Sequence, residues 1–222
     1  MISKEEYKEI ASKWPVMKRD GKVLEPYQHW ARLDFRLRYF CQFVHEMHGL
    51  DVVEIGCNAG MYGYEIAKEA RSYFGVDISE RFIAEANVTK TFIEKFNPNV
   101  SFLCRSVKGW LRDRQKAKGR GEGVPIYNAL FASFALYHCS NAELALLEQE
   151  ILPHCKLVFI QTRTAKRKKM SNHNSWKFWK PSQVSKFLTK NGFCCVINMG
   201  PPKHGSGSKE PNFAEIIGRK AV

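Results

Sequence analysis

The sequence predicts a doubly wound α/β fold: a mostly parallel, seven-stranded sheet with an antiparallel edge pair, preceded by N-terminal helices. After residue 50, short β-branched and aromatic runs alternate with helical patterns, as in parallel sheets covered by helices on both faces. A loop containing glycine and proline, not a helix, joins the last two runs, which is typical of an antiparallel pair. Residues 1–49 show helical spacing instead, so we expect a helical extension there and one domain over residues 50–222.

The N-terminal extension is predicted to hold two helices. The first begins after Ser3, where Ser-Lys-Glu-Glu has the pattern of a capping box, and it stops at Pro15. Residues 16–26 contain turn-forming glycine and proline and are predicted to be a turn or loop. Over residues 27–47, apolar side chains recur every three or four positions, which predicts one long amphipathic helix.

The remaining chain is predicted to alternate between strands and helices. The predicted strands are residues 51–55, 73–76, 100–104, 127–133, 156–161, 193–198 and 213–219. The predicted helices between them are residues 61–70, 80–96, 107–118, 142–151 and 181–190. Because a helix separates successive strands up to the sixth, crossover connections favour parallel pairing until the last two strands.

Composition excludes several classes of protein. The chain is 44% hydrophobic and 26% charged, which is ordinary for a globular domain and argues against disorder. No run approaches the length of a membrane span, and the N-terminus is charged, so we expect neither a membrane segment nor a signal peptide. The seven cysteines form no Cys-x-x-Cys pair and the seven histidines show no ligand spacing, so we expect no metal site. Together these features favour a cytoplasmic protein.

Two segments carry the whole net charge of +13. Residues 105–120 hold seven cations and one acid, and residues 163–180 hold seven cations and no acid. A localised excess indicates an anionic partner, and the second segment interleaves its cations with aromatic side chains that can stack on unpaired bases. A solvated loop or a nuclear-import or heparin-type patch would have the same pattern. The candidate substrate-binding residues are Arg163, Lys166, Arg167, Lys168, Lys169, Trp176 and Trp179.

A glycine loop follows the first strand of the predicted domain, with the sequence Glu54-Ile55-Gly56-Cys57-Asn58-Ala59-Gly60. Glycines at such a junction let the backbone pass close to a ligand and turn helix amides towards it. A dinucleotide fingerprint would need Gly-x-Gly-x-x-Gly, and Asn58 and Met61 break that spacing. Asp77 ends the second predicted strand, where a carboxylate can accept both hydroxyls of a ribose.

Over about residues 50–222, the chain resembles the class I S-adenosylmethionine-dependent methyltransferases in motif order and element order. The resemblance implies a Rossmann-like methyltransferase fold with S-adenosyl-L-methionine as the cofactor. It implies that the glycine loop packs on the methionine part of the cofactor, that Asp77 binds the ribose and that Ile78 flanks the adenine. Many members have an acid where this chain has Ser106. The candidate cofactor-binding residues are Glu54, Gly56, Cys57, Asn58, Gly60, Asp77, Ile78, Ser106 and Ser133.

Residues 128–138 resemble the segment that lies between cofactor and substrate in this family. Their Leu-Tyr-His ending is similar to that of the transfer-RNA wobble-uridine carboxymethyltransferases. Tyr137 and His138 are therefore the candidate catalytic residues, with His138 as a general base or a substrate contact. A histidine that caps a helix or packs in the core would fit the same position. Methyl transfer from a sulfonium is a direct displacement, so alignment is required and a base is not always needed.

We expect, on these grounds, an S-adenosylmethionine-dependent methyltransferase that acts on RNA, with transfer RNA as the expected substrate. Two alternatives stay open: a methyltransferase for an anionic small molecule, and a non-catalytic RNA-binding subunit that retains the cofactor fold. The expected partners are RNA and either another protein or a second copy of the chain, but no membrane.

Overall fold

The structure, a computed structural model, describes residues 1–16, 18–19, 22–23, 30–163, 180–200 and 213–220. The chain divides into two units, Met1–Ser106 and Val107–Val222, and each is described here by itself. The domain division predicted from the sequence, between residues 49 and 50, stays a prediction. Among the described residues, no helix is both long and apolar enough to cross a membrane.

Helix α1 (Lys4–Ser12) begins at the predicted capping box. The Ser3 hydroxyl accepts a hydrogen bond from the backbone N–H of Glu6 at 3.1 Å, and the Glu6 carboxylate accepts one from the Ser3 N–H at 2.8 Å. These two bonds satisfy donors that a helix start leaves open, so the predicted helix start is confirmed. Beyond the helix, the Trp14 indole donates to the Thr89 hydroxyl at 3.2 Å.

The next segment differs from its prediction in the extent of its helix. Within residues 16–26, where a turn or loop is predicted, a short antiparallel pair is present, β1 (Lys18–Arg19) and β2 (Lys22–Val23). Helix α2 (Trp30–Phe40) ends early, and a separate 3₁₀ turn covers Val44–Met47. Phe40 and Met47 are both fully buried, so the apolar periodicity continues across a break in the helix. Burial spacing alone therefore could not reveal where the backbone turns.

The first unit carries three parallel strands: β3 (Asp51–Ile55), β4 (Ser72–Asp77) and β5 (Val100–Cys104). Their order is β5-β4-β3, and helices α3 (Met61–Ile66) and α4 (Glu80–Ile93) connect them. The register pairs Ile55 with Val76 and Asp77 with Cys104, so the three strands end at the same edge. Ligands of doubly wound folds bind at this carboxyl edge.

The second unit contains strands β6 (Ala129–Ser133), β7 (Leu157–Arg163), β8 (Phe193–Met199) and β9 (Phe213–Lys220), in the order β6-β7-β9-β8. Its helices are α5 (Val107–Gly119), α6 (Asn141–Glu150) and α7 (Pro181–Lys190). β6 and β7 are parallel, whereas β9 runs antiparallel to both of its neighbours. The described strands β3–β9 form one seven-stranded sheet, which confirms the predicted mostly parallel sheet with an antiparallel edge pair.

Burial follows this architecture. All five residues of β6 are buried, as are Phe213–Gly218 of β9, because helices cover both faces of such a sheet. The aromatic rings of Phe131 and Phe159 lie 5.4 Å apart between β6 and β7. β8 is an edge strand, and its Val196 side chain is 47% exposed. The apolar core of the second unit is thus centred on β6, β7 and β9.

Candidate functional site

The glycine loop between β3 and α3 contains three residues with left-handed backbone. Gly56, Asn58 and Gly60 have φ values of 73°, 48° and 74°. This conformation costs an ordinary residue about 1–2 kcal/mol, which glycine avoids. At Asn58 the side-chain amide donates to the Gly56 carbonyl at 2.9 Å, a local bond that suits asparagine to this region. The residue types of the motif therefore match the backbone that the loop adopts.

Close packing gives Gly60 a second constraint. A Cβ atom at this position would lie 2.7 Å from the ring of Phe102 on β5, closer than real Cβ contacts allow. A Cβ at Gly75 on β4 would meet the same ring at 2.7 Å and the Cys57 side chain at 2.9 Å. The loop, β4 and β5 therefore approach one another at a distance that only glycine permits.

Asp77 ends β4 beside this loop, and both of its carboxylate oxygens are held by backbone amides. Oδ2 accepts from the Asn58 N–H at 3.1 Å, and Oδ1 accepts from the Ser79 N–H at 2.9 Å. An ionised carboxyl oxygen has two lone pairs, so each oxygen can accept one more hydrogen bond. With 9% of the residue exposed, the carboxylate is fixed in orientation but still reachable. This arrangement suits a pair of neighbouring hydroxyl groups.

Ile78 and Ser106 extend the edge of the first unit. The Ile78 side chain follows Asp77 directly and is 73% exposed, which is unusual for a large apolar residue and offers a surface to a flat ring. Ser106 is half-buried and precedes α5. Roles for both residues in ligand binding stay predictions.

A buried acid lies on β3 in front of the glycine loop. Glu54 is fully buried; Oε2 accepts from the Tyr73 hydroxyl at 2.6 Å, whereas Oε1 has no hydrogen-bond partner among the described residues. Burial raises the pKa of Glu54 to about 8, although the Tyr73 hydrogen bond opposes the shift. Glu54 is therefore mostly protonated at neutral pH. Burial also raises the pKa of the Cys57 thiol well above its usual value, so this cysteine is not an activated nucleophile.

In the second unit, Ser133 belongs to a buried polar cluster. Its hydroxyl donates to Gln161 Oε1 at 2.7 Å, and Gln161 Nε2 donates to Glu215 Oε1 at 2.8 Å. Burial raises the pKa of Glu215 to about 7, while the Gln161 hydrogen bond lowers it. Gln161 and Glu215 are not among the site residues predicted from the sequence. A lone acid inside the apolar run Phe-Ala-Glu-Ile-Ile was the signal that could have found Glu215.

The candidate catalytic pair lies in the 3₁₀ turn Leu136–His138, which follows β6. Phe134 starts this turn with a left-handed φ of 56°, and its N–H donates to the Gln161 carbonyl at 2.9 Å. The His138 side chain is exposed, so it is not a core residue. The side chain of Tyr137 lies outside the described atoms. Catalytic roles for both residues stay predictions.

The second basic segment falls largely outside the described residues. Lys166, Arg167, Lys168, Lys169, Trp176 and Trp179 are not described, and neither is the side chain of Arg163, the last residue of β7. The first basic segment is described: Lys108, Arg112 and Lys116 are exposed on α5, four residues apart, and so form one stripe along the helix. Within the described ranges, no three His, Cys, Asp or Glu side chains are grouped so that they could hold a metal ion.

Comparison with curated proteins finds a partial match. No protein-family model matches the chain. The ubiquinone biosynthesis O-methyltransferase of Coxiella burnetii (strain RSA 493 / Nine Mile phase I) is 30% identical over 81 residues, which are 36% of this chain and 33% of the relative. The same holds for this enzyme from four other strains of the species. The chain therefore spans about a third of the length of the curated relatives that it matches.

Solved structures match along most of the chain. Magnesium protoporphyrin IX methyltransferase from Synechocystis PCC 6803 with bound SAH has a TM-score of 0.58 at 15% identity, covering 89% of this chain and 90% of its own. The small RNA methyltransferase HEN1 has a TM-score of 0.63 at 16% identity, covering 94% of this chain and 27% of its own. The [4+2]-cyclase SpnF has a TM-score of 0.60 at 14% identity, and the match covers 90% of this chain and 86% of the cyclase chain. At these identities the likeness shows the fold, which serves more than one reaction.

Proposed function

We propose that this chain, which has the fold of the class I S-adenosylmethionine-dependent methyltransferases, is itself such an enzyme and methylates RNA. The observation that carries the methyltransferase part of the proposal is Asp77. Two backbone amides fix its carboxylate beside the left-handed glycine loop, at the edge where doubly wound folds bind ligands.

The residues of the first unit fit S-adenosyl-L-methionine. Asp77 would accept hydrogen bonds from the two ribose hydroxyls, and exposed Ile78 would cover one face of the adenine. The left-handed residues Gly56 and Gly60 set the backbone course of the loop along which the methionine part would pass. The unpartnered Oε1 of Glu54 is a further polar atom for which the described residues supply no partner. When bound, this cofactor supplies an electrophilic methyl group on a sulfonium.

Charge supports RNA as the methyl acceptor. Lysine and arginine neutralise phosphates and release counterions, and the net charge of +13 resides in residues 105–120 and 163–180. The exposed stripe of Lys108, Arg112 and Lys116 on α5 is the described part of this charge. One structural neighbour carries the name of a small RNA methyltransferase. Transfer RNA is the RNA class that we propose, from the Leu-Tyr-His ending at His138.

A small molecule is the second candidate acceptor. It is favoured by the match to ubiquinone biosynthesis O-methyltransferase and by the structural likeness to magnesium protoporphyrin IX methyltransferase. A non-catalytic RNA-binding subunit is the third candidate, because it would keep the same fold and charge. The three candidates differ in the molecule that receives a labelled methyl group: RNA, a small molecule, or neither.

The deciding experiment incubates the protein with methyl-labelled S-adenosylmethionine and total cellular RNA, followed by nuclease digestion and nucleoside analysis. We expect label in a modified nucleoside and a strong loss of label with Asp77→Ala. That variant should also bind S-adenosylhomocysteine at least about tenfold more weakly, because it loses hydrogen bonds to a charged acceptor. The exposed acid Asp113 on α5 provides the matched control, Asp113→Ala.

Each alternative has its own outcome. Label that appears only in a small-molecule extract would replace RNA by a metabolite as the acceptor. Binding of S-adenosylhomocysteine without methyl transfer to either pool would support the non-catalytic subunit. Wild-type affinity for S-adenosylhomocysteine in Asp77→Ala would contradict the assignment of the cofactor edge.

Salt dependence tests the basic surfaces separately. Each cation that contacts a phosphate contributes about −0.7 to the log–log slope of single-stranded RNA binding against salt. Replacing Lys166, Arg167, Lys168 and Lys169 by Gln should flatten the slope, and so should replacing the α5 stripe. A triple variant of Lys4, Lys8 and Lys13, which removes exposed cations from α1, is the control and should leave the slope unchanged. An unchanged slope in both test variants would remove RNA from the proposal.

A further inference from the structure

A row of three polar residues crosses the sheet of the second unit at one level. The register pairs Ser133 on β6 with Gln161 on β7, and Gln161 with Glu215 on β9. Hydrogen bonds of 2.7 and 2.8 Å join the three side chains in that order. We call Ser133, Gln161 and Glu215 the polar rung.

The polar rung lies next to an apolar row on the same face of the sheet. Two residues away from the carboxyl end of β6, the corresponding row is Phe131, Phe159 and Ile217, all buried. Glu215 and Gln161 are each 1% exposed, and burying such groups is unfavourable compared with apolar side chains of similar size. Apolar side chains at these three positions would stabilise the sheet more than the polar rung does. We therefore look for its role in ligand binding and not in stability.

The hydrogen bonds of the polar rung have a defined direction. An ionised Glu215 only accepts, so it turns the amide nitrogen of Gln161 towards itself and leaves the amide oxygen facing Ser133. The Ser133 hydroxyl must then donate its proton to that oxygen. The hydroxyl oxygen keeps lone pairs that can accept, and 8% of Ser133 is exposed at the carboxyl end of β6. With Glu215 ionised, Ser133 can therefore offer a ligand only an acceptor.

We propose that the polar rung is a binding site for a hydrogen-bond donor, with Ser133 Oγ accepting from an N–H or O–H group of a ligand. Gln161 and Glu215 are positioning residues that keep the serine in its accepting orientation. The inference rests on the proposed methyltransferase function, which supplies two sources of such a donor. One is the amino group of the cofactor, and the other is the amine or hydroxyl that receives the methyl group.

Protonation of Glu215 would reverse the direction of the hydrogen bonds along the polar rung. A protonated carboxyl can donate to the amide oxygen of Gln161, whose nitrogen then donates to Ser133 and frees the serine hydroxyl to donate. The pKa of Glu215 is raised to about 7 by burial, with an opposing contribution from Gln161. The preference of Ser133 for a donor-bearing ligand should therefore weaken as the pH falls through neutrality.

Burial raises the pKa of Glu215 and the hydrogen bond from Gln161 lowers it, without a contribution from a nearby charged group among the described residues. Its register partners are Gln161 on β7 and Asn198 on β8, both neutral. Helix α7 also packs on β9, and its cations are Lys186 and Lys190. Its Leu188 meets Gly218, which lies on the opposite face of β9 from Glu215. At the far end of β9 stand Arg219 and Lys220, and no charged group among the described residues contributes to the shifted pKa of Glu215.

The test uses Glu215→Gln, which keeps an oxygen that can accept from Gln161 but cannot titrate. Affinity for S-adenosylhomocysteine is measured by calorimetry from pH 5.5 to 8.5, and the KM for total cellular RNA is measured over the same range with labelled cofactor. In the wild type we expect either the affinity for S-adenosylhomocysteine to fall about tenfold towards pH 5.5 or the KM for RNA to rise about tenfold. In Glu215→Gln neither quantity should change with pH. Ser133→Ala should weaken the same interaction about tenfold at pH 8.5, seen as a lower affinity for S-adenosylhomocysteine or as a higher KM for RNA. The control Glu150→Gln neutralises another buried acid of this unit and should retain the wild-type profile.

The outcomes separate the two proposals. A pH step in affinity for S-adenosylhomocysteine assigns the donor to the cofactor, and a step confined to the KM assigns it to the methyl acceptor. Binding of S-adenosylhomocysteine with identical profiles in wild type and Glu215→Gln, for both quantities, would overturn the polar rung alone. If wild type binds no S-adenosylhomocysteine at any pH, the proposed function fails and the donor-binding role fails with it.

The orientation of the row is read independently from the side-chain amide signals of Gln161 in a ¹⁵N-labelled sample without ligand. These signals should move in one step near pH 7 in the wild type and stay in place in Glu215→Gln. Signals that do not move in the wild type would show that the row does not reverse, and would overturn the inference even if ligand binding depended on pH.

Discussion

The loop edge of the first unit and the polar rung of the second unit both contain a buried carboxylic acid on a strand with neighbours on both sides, but they hold it differently. Glu54 accepts one hydrogen bond from the Tyr73 hydroxyl, and its second oxygen has no partner among the described residues. Glu215 accepts its bond from the Gln161 amide, whose oxygen in turn accepts a hydrogen bond from the Ser133 hydroxyl. Burial raises the pKa of Glu54 to about 8 and that of Glu215 to about 7.

The two regions differ in what fixes the orientation of a polar side chain: loop backbone in the first unit, and the alignment of several strands in the second. In the first unit, the backbone amides of Asn58 and Ser79, in the two loops that adjoin Asp77, fix the carboxylate of Asp77. In the second unit, three strands that are far apart in the sequence must align before Ser133 has an orientation at all. A substitution in the loop should therefore act on the backbone, whereas one in the polar rung should act on protonation.

The largest expected effect is that of Gly60→Val, which tests the backbone control of the first unit. Left-handed φ and a Cβ 2.7 Å from the Phe102 ring together should lower the free energy of unfolding by about 3–5 kcal/mol. Chemical denaturation measures this change. Gly119→Ala is the control, since a Cβ there meets nothing within 4 Å, and it should change stability by less than about 0.5 kcal/mol. Equal effects of the two variants would show that the loop is not constrained.

Glu54→Gln is expected to have the next largest effect, on the pH dependence of stability. The folded-state pKa of Glu54 lies near 8, above the value of 4.5 in a model compound, so the folded protein holds a proton that the unfolded chain releases. The associated stability is fully present below pH 4.5 and is lost as the pH rises through 8, with a total of about 2–4 kcal/mol. Glu54→Gln should remove this loss. Denaturation from pH 4.5 to 9 measures it, and parallel curves for the two proteins would contradict the prediction.

Glu215→Gln should change the pH dependence of stability in the same direction as Glu54→Gln, but by a smaller amount. The folded-state pKa of Glu215, about 7, is also raised above 4.5. Stability is therefore again lost as the pH rises, and this loss is complete near pH 7. We expect a loss of about 1–3 kcal/mol in the wild type that Glu215→Gln lacks. The same denaturation series measures it. A larger pH-dependent loss from Glu215 than from Glu54 would reverse the comparison between the two acids.

The smallest expected effect concerns Phe134, whose φ of 56° strains the turn after β6. Its ring packs edge-on against Phe213 with centroids 6.3 Å apart, so both Phe134→Gly and Phe134→Ala lose packing. Only glycine also relieves the strain, and it should be more stable than the alanine variant by about 1 kcal/mol. Thermal unfolding of the two variants measures the difference. An alanine variant at least as stable as the glycine variant would show that this turn stores no strain.

Prediction of the fold from the sequence succeeded where periodicity and turn chemistry agree. The strand Asp51–Ile55 and the helix Pro181–Lys190 have the predicted bounds, because turn-forming residues flank clear apolar patterns. The helix predicted over residues 27–47 is wrong in extent, since buried Phe40 and Met47 continue the same spacing across a turn. Apolar spacing reports which side chains are buried and does not report whether the backbone between them is continuous.

The sequence by itself determined the mostly parallel sheet with its antiparallel edge pair, the glycine loop between β3 and α3, and the position of Asp77 at the end of β4. These features depend on residues close together in the chain, where glycine freedom and strand periodicity act locally. Only the tertiary structure decided that Tyr73 binds Glu54 and that Ser133, Gln161 and Glu215 form one row. Strand register brings these side chains together, and a shift of one residue would turn each to the other face of the sheet. Short-range patterns in the sequence therefore could not reveal them.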